Sequence, residues 1–264
     1  MKNRIFLLGL VVLSIALLNT ISFNVGADGS GDYPPPLSGD WVINNPTYVG
    51  NETWTINGSI IVNSQLTLFN TIIFINTTAN GSFKIEVKNT GSLRIINSTI
   101  TTETKDGFHQ YHFYVDGQNL EIRNSTIEYA GSSETTGLIV NATNVYIENS
   151  VFQNNFLGVR LNSVNNAIIT GNSFINNVQD GIYLSSVTNA NLSFNIINNT
   201  TKRGIYMIKS TYNNITGNTI SNTSNGTYLT TTSSYNNITS NHYFDNLYSG
   251  IDIRSSSNLI SGNY

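Results

Sequence analysis

Residues 213–220 read NNITGNTI. Ile215 and Ile220 are core residues by type, yet they stand among Asn, Thr and Gly, which favour turns. The same arrangement returns as LTLFNTII from Leu66, LRIINSTI from Leu93, LEIRNSTI from Leu120, VYIENSVF from Val145, IITGNSF from Ile168, NITSNHY from Asn237 and LISGNY from Leu259. The apolar residue ahead of each bend falls at Leu68, Ile95, Ile122, Ile147, Ile169, Leu192, Ile215, Ile238 and Ile260, in steps of 27, 27, 25, 22, 23, 23, 23 and 22 residues. Five positions on, a second apolar residue follows each of the first eight, as Ile73 follows Leu68 and Ile220 follows Ile215. The bend between them carries Asn-Thr or Asn-Ser in the first four copies and mostly Gly-Asn later. Both pairs suit a tight corner, because Asn and Gly tolerate left-handed backbone.

A second column has the same period. Gly158, Gly181, Gly204, Gly226 and Gly250 open GVRL, GIYL, GIYM, GTYL and GIDI at spacings of 23, 23, 22 and 24 residues, and GLIV from Gly137 extends the column upstream. Internal self-similarity at such a period marks a solenoid. The segments alternate with period two and show no helical spacing. A coil of 22–27 residues has room for three short strands and their bends, and coils stacked about 4.8 Å apart form parallel sheets around one continuous core. The sequence therefore predicts an all-β, right-handed parallel β-helix of about nine coils. The left-handed form is built from hexapeptides, and the longer, variable period here selects the right-handed one. In this architecture Ile215 and Ile220 point inward on successive faces while Gly217 and Asn218 turn the corner. Asn172, Asn195, Asn218, Asn241 and Asn263 are then expected to stack as a hydrogen-bonded amide ladder.

Lys2 and Arg4 followed by the apolar run 5–18 and the small residues Val25-Gly26-Ala27 form a secretory signal over residues 1–27. The 14-residue run is short of the roughly 20 residues that a membrane span needs. Contact with a membrane is expected only through this signal, if it stays uncleaved. Residues 28–40, with Pro34–Pro36, form an extended leader. Residues 41–62 make an N-terminal cap and first strands, with Trp41 and Trp54 closing the core, and residues 63–264 the β-helix repeats. The last repeat stops at SGNY, so the sequence is expected to be a piece of a longer protein or to meet a partner at its C-terminal edge.

Of 12 basic and 15 acidic residues, the signal removes two basic ones, which leaves ten against fifteen. No basic stripe for nucleic acid is present. The absence of cysteine excludes disulfides and thiolate metal sites. His109 and His112 are expected in the TKDGFHQYH loop between coils, with His242 far away, so neither a metal nor another cofactor is expected.

The units from Gly158 to Tyr264, GIYL…NNITGN in form, resemble the right-handed parallel β-helix repeat proteins. More narrowly they are similar to the NosD-type periplasmic proteins and to the carbohydrate-binding and sugar hydrolase (CASH) modules. The resemblance implies a fold shared by lyases, hydrolases, epimerases, maturation factors and adhesins, so function must be argued from a site.

If Val159, Ile182, Ile205 and Ile251 face inward, the next residue along each strand faces solvent. That gives an outer column of Arg160, Tyr183, Tyr206, Tyr228 and Asp252, expected to bind extracellular polysaccharide. Tyrosine also suits an exposed sheet without any ligand. A glycosidase needs two carboxylates about 5–9.5 Å apart, and no such pair is legible; the NTD, GDD, GHG and RIK patterns of polygalacturonase-type hydrolases are absent. The sequence therefore points to a secreted or cell-surface protein with a non-catalytic polysaccharide-binding, structural or adhesive role. A β-helix lyase or hydrolase and a NosD-like periplasmic maturation factor are the alternatives. Fourteen N-x-S/T sequons occur, and Asn51, Asn57, Asn76, Asn97, Asn124, Asn214 and Asn237 are candidate glycosylation sites.

Overall fold

The computed structural model describes residues 31–133 and 136–264; the signal segment 1–27 lies outside them. Twenty-nine short strands form three parallel sheets. The first sheet stacks ten strands from Trp41–Ile43 to Ser249–Ile253, the second ten from Thr47–Gly50 to Leu259–Ser261, and the third nine from Thr53–Ile56 to His242–Phe244. The chain visits the three sheets in rotation, which makes nine complete coils and two strands of a tenth. This is the expected parallel β-helix, with no α-helix among the described residues.

Register repeats without slippage. Ile95 pairs Leu68 and Ile122, Leu192 pairs Ile169 and Ile215, and Ile220 pairs Ile197 and Tyr243. A one-residue slip would turn every core side chain outward, so the apolar columns themselves hold the coils in line. Ile215 and Ile220 are both fully buried. Between them Gly217 adopts φ +65°, and Asn70, Asn97, Asn124 and Asn149 hold φ between 48° and 50° at the same corner of earlier coils.

Asn218 shows how the corner is held. Its backbone N–H and its Nδ2 both donate to Oδ1 of Asn241 at 2.9 Å, and Nδ2 also donates to the Leu192 carbonyl. Asn172, Asn195, Asn241 and Asn263 extend this ladder. In the earlier coils hydroxyls replace the amides as acceptors. The N–H of Thr71 donates to Ser98 Oγ, that of Ser98 to Ser125 Oγ, and that of Ser125 to Ser150 Oγ. A second amide ladder, Asn213–Asn236–Asn258, lines the corner between the first and second sheets.

The glycine column arises from close approach between coils. A Cβ on Gly226 would lie 2.4 Å from the Gly250 carbonyl oxygen and 2.5 Å from Tyr243 Cδ1, and one on Gly158 would lie 2.3 Å from the Gly181 oxygen. Gly226→Ala is expected to cost about 1–3 kcal/mol, the usual range for overpacking, because a rigid backbone oxygen must move. A thermal melt checks this, and an unchanged midpoint would contradict it.

Trp41 is already part of the first sheet, paired with Ile60 and buried. The leader wraps over it: Trp41 Nε1 donates to the Asp32 carbonyl at 2.6 Å, the Asp32 carboxylate accepts the N–H of Asn45 at 2.7 Å, and the Tyr33 ring meets Trp54 edge-on at 6.0 Å. The backbone N–H groups of Asn45 and Asn44 hold the Asp32 carboxyl below its usual range.

Candidate functional site

On the outer face of the first sheet, strand register brings the five predicted residues into one line. Arg160 pairs Tyr183, Tyr183 pairs Tyr206, Tyr206 pairs Tyr228 and Tyr228 pairs Asp252. Each is half-buried, and the inward neighbours Val159, Ile182 and Ile205 are fully buried. Alternation on a pleated strand accounts for the arrangement.

The ring geometry differs from an open aromatic platform. Tyr183 and Tyr206 lie 4.8 Å apart at 34°, and Tyr206 and Tyr228 lie 5.6 Å apart at 62°. Guanidinium groups cover the rings: Arg160 is 4.7 Å from the Tyr183 centroid, Arg203 is 3.4 Å from that of Tyr206, and Arg254 is 4.9 Å from that of Tyr228. Such cation–π contacts are favourable for arginine and hold its fork in place. The face therefore offers planar cations and phenol groups more than bare ring surface.

The three arginines are secured differently. Arg160 Nε donates to Asn162 Oδ1 at 2.8 Å and has no carboxylate partner among the described residues; the amide chain Asn162–Asn141–Asp116 continues behind it. Arg203 Nε and an Nη donate to the two oxygens of Asp180 at 2.7 and 3.0 Å. Asp180 is 2% exposed, and burial raises its carboxyl pKa while Arg203 draws it back down. Arg254 is bonded to Asp252 at 3.3–3.5 Å in solvent. Arg203 is the member that alternation could not find. It stands just before Gly204, outside the alternating stretch, and returns to the column only through its long side chain.

On this face the Asp180 carboxylate is buried beneath Arg203 and engaged by it. The candidate sequons separate into two groups. Asn51, Asn57, Asn76, Asn214 and Asn237 have amides engaged in inter-coil bonds. Asn97 and Asn124 are exposed, and their side chains make no such bond among the described residues.

The family model described as periplasmic copper-binding protein (NosD) matches residues 111–264, more than half of the chain. None of the curated proteins compared matches it. Among solved structures, the periplasmic alginate epimerase AlgG superposes with a TM-score of 0.56 at 17% identity, over 85% of this chain and 57% of that one. The A-module of the Azotobacter vinelandii mannuronan C-5 epimerase AlgE6 gives 0.50 at 12% identity, over 82% and 57%. At these identities the likeness is one of fold, and the chain spans a little over half the length of these neighbours.

The donor set does not fit a copper ion. The chain has no cysteine, and Met207 is fully buried in the core. His109 Nδ1 faces the Asp106 carboxylate at 2.9 Å, and His242 stacks on Tyr264 with centroids 4.5 Å apart. His112, expected in the loop with His109, instead opens strand His112–Val115 because its outward position continues that strand. No cluster of three His, Cys, Asp or Glu able to hold a metal occurs among the described residues.

Proposed function

The chain belongs to the NosD family, and from that premise we propose that it is an extracytoplasmic β-helix that binds acidic polysaccharide along its arginine–tyrosine column. One observation carries this reading. The guanidinium groups of Arg160, Arg203 and Arg254 lie over Tyr183, Tyr206 and Tyr228, one for each of three consecutive coils. Coils follow one another at about 4.8 Å, close to the advance of one sugar in an extended glycan. The arginines themselves come from every second coil, so a polymer laid along the axis meets planar cations, the group best shaped to fork onto a carboxylate, along the length of the tyrosine file. Lys202 and Lys209, both exposed, add positive charge beside the column on a chain that is negative overall. The epimerase neighbours act, by their names, on alginate and mannuronan, which agrees with a uronate ligand. The word periplasmic in the family description and in the name of AlgG agrees with export by residues 1–27.

The test is calorimetric titration with oligogalacturonate, oligomannuronate and a neutral glucan of equal length. Arg160→Ala is expected to weaken binding of an acidic oligomer about tenfold, as for loss of one charge-assisted hydrogen bond, and added salt is expected to weaken it further. Equal binding of neutral and acidic oligomers, or none to either acid, would overturn the reading.

A further inference from the structure

We propose a second saccharide site on the neighbouring sheet, taking an uncharged oligosaccharide. It begins with a change in strand length. On the second sheet, Ser92–Ile96, Asn119–Arg123 and Asn144–Glu148 each have five residues, whereas the next strand, Ile168–Thr170, has three. Pairing between those last two starts at Tyr146↔Ile168, so Asn144 and Val145 have no ladder partner on the following coil. The corner that leads into the shorter strand runs through Ser163 and Asn166, at left-handed φ of 54° and 58°. The resulting step shelters an open cleft of about 830 Å³ on the outer surface, within the range of small-ligand sites.

The chemistry of the cleft is that of amides. Its charged groups are engaged with one another: Arg94 Nε meets Glu121 Oε2 at 2.7 Å, Arg123 Nε lies 2.8 Å from Glu121 Oε1 and 4.0 Å from Glu148 just outside the lining, and the Arg123 guanidinium rests 4.3 Å from the Tyr146 centroid. An anionic ligand would have to displace Glu121 from both arginines at once, whereas on the column Arg160 has no carboxylate to displace among the described residues. The groups with hydrogen-bonding capacity to spare are neutral. Asn144 Nδ2 donates to Asn119 Oδ1 at 2.8 Å, ending a short ladder, and its own Oδ1 accepts no hydrogen bond among the described residues. The Asn166 side chain, across the cleft, makes none either. Amides that both donate and accept suit the hydroxyls of a neutral sugar. The site lies on a different sheet from the arginine column and meets it only through Asn141, whose Oδ1 accepts from the Asn162 amide behind Arg160.

The experiment is ligand-observed NMR and calorimetry on the exported chain with cellohexaose, maltohexaose, mannohexaose and xylohexaose, and with oligogalacturonate for comparison. At least one neutral oligomer is expected to bind, about tenfold more weakly to Asn144→Ala and not at all to Thr143→Trp, whose indole would fill the cleft. Both positions are exposed, so the variants should melt like the parent. Arg160→Ala should leave this binding unchanged, and the two cleft variants should leave binding of the acidic oligomer unchanged. Failure of all four neutral oligomers to bind would overturn the proposal. So would binding that survives both cleft variants.

Discussion

Asn218→Ala is expected to lower the stability of the chain by about 3–5 kcal/mol, since several buried polar groups lose partners at about 1–3 kcal/mol each. Asn195 donates to Asn218 Oδ1 through both its backbone N–H and its Nδ2, and Asn218 Nδ2 serves the Leu192 carbonyl and Asn241 Oδ1. Asn195, Asn218 and Asn241 are all fully buried, so water cannot replace the lost amide without opening the stack. Asn218→Asp keeps the acceptor but loses the donors and buries a charge, and should be no better tolerated. Asn97→Ala, at an exposed bend position, removes only a residue suited to left-handed backbone and should cost well under half as much. Urea unfolding gives the totals. Hydrogen exchange gives the place: coils of a solenoid contact only their neighbours, so lost protection should centre on residues 192–241 and fade toward the N-terminal coils. A loss below about 1 kcal/mol would mean that the ladder is dispensable and the apolar columns alone set the corner.

The ladder was legible because Asn218 and its equivalents repeat as one residue type at one spacing. The hydroxyl ladder Thr71–Ser98–Ser125–Ser150 holds its corner in the same way, but there the bend reads as Asn followed by Ser or Thr. Attention falls on the left-handed Asn, while the bonding residue is the one after it. The corner ladder Asn213–Asn236–Asn258 was hidden because Asn213 and Asn236 each open an Asn-Asn pair whose two residues both look like turn formers, and Asn258 stands in the serine-rich turn 255–257. Strand alternation gave the outer column from Arg160 to Asp252 directly, for the pleat admits only two faces. It could not give Arg203, whose place depends on a flexible side chain bending back over Tyr206. The cleft was out of reach for another reason. The repeat shortens from 25 to 22 residues between Ile147 and Ile169, and periodicity alone does not say which wall of the coil absorbs the change. Phe194 shows the same limit: it occupies left-handed backbone, at φ 56°, where other coils place Asn, Gly or, at position 240, Ser, and stays 68% exposed.

Arg203→Ala is expected to be the most damaging change on the binding face, costing about 3–5 kcal/mol at neutral pH, because it strands a buried carboxylate. Once the guanidinium is gone, Asp180 keeps the N–H of residue 203 and the more distant Lys202 charge as stabilising partners. The pH dependence separates this cause from simple loss of packing on Tyr206. Burial already holds the Asp180 carboxyl above its ordinary value, and removing the cation raises it further. A folded-state pKa above the unfolded one, about 3.9, penalises folding only where the carboxyl would otherwise ionise. The deficit of Arg203→Ala should therefore grow as pH rises through the gap between the two values and nearly vanish below about pH 4. Adding Asp180→Asn should recover much of the loss at neutral pH, since a neutral amide costs less to bury than a carboxylate. A deficit equal at acid and neutral pH, unrelieved by Asp180→Asn, would assign Arg203 a packing role only. The double variant also isolates the function of the column, for it restores the fold without restoring the cation over Tyr206. Acidic oligosaccharide should bind it more weakly than the parent chain. Undiminished affinity in a folded double variant would remove Arg203 from the site and leave the column without its central cation.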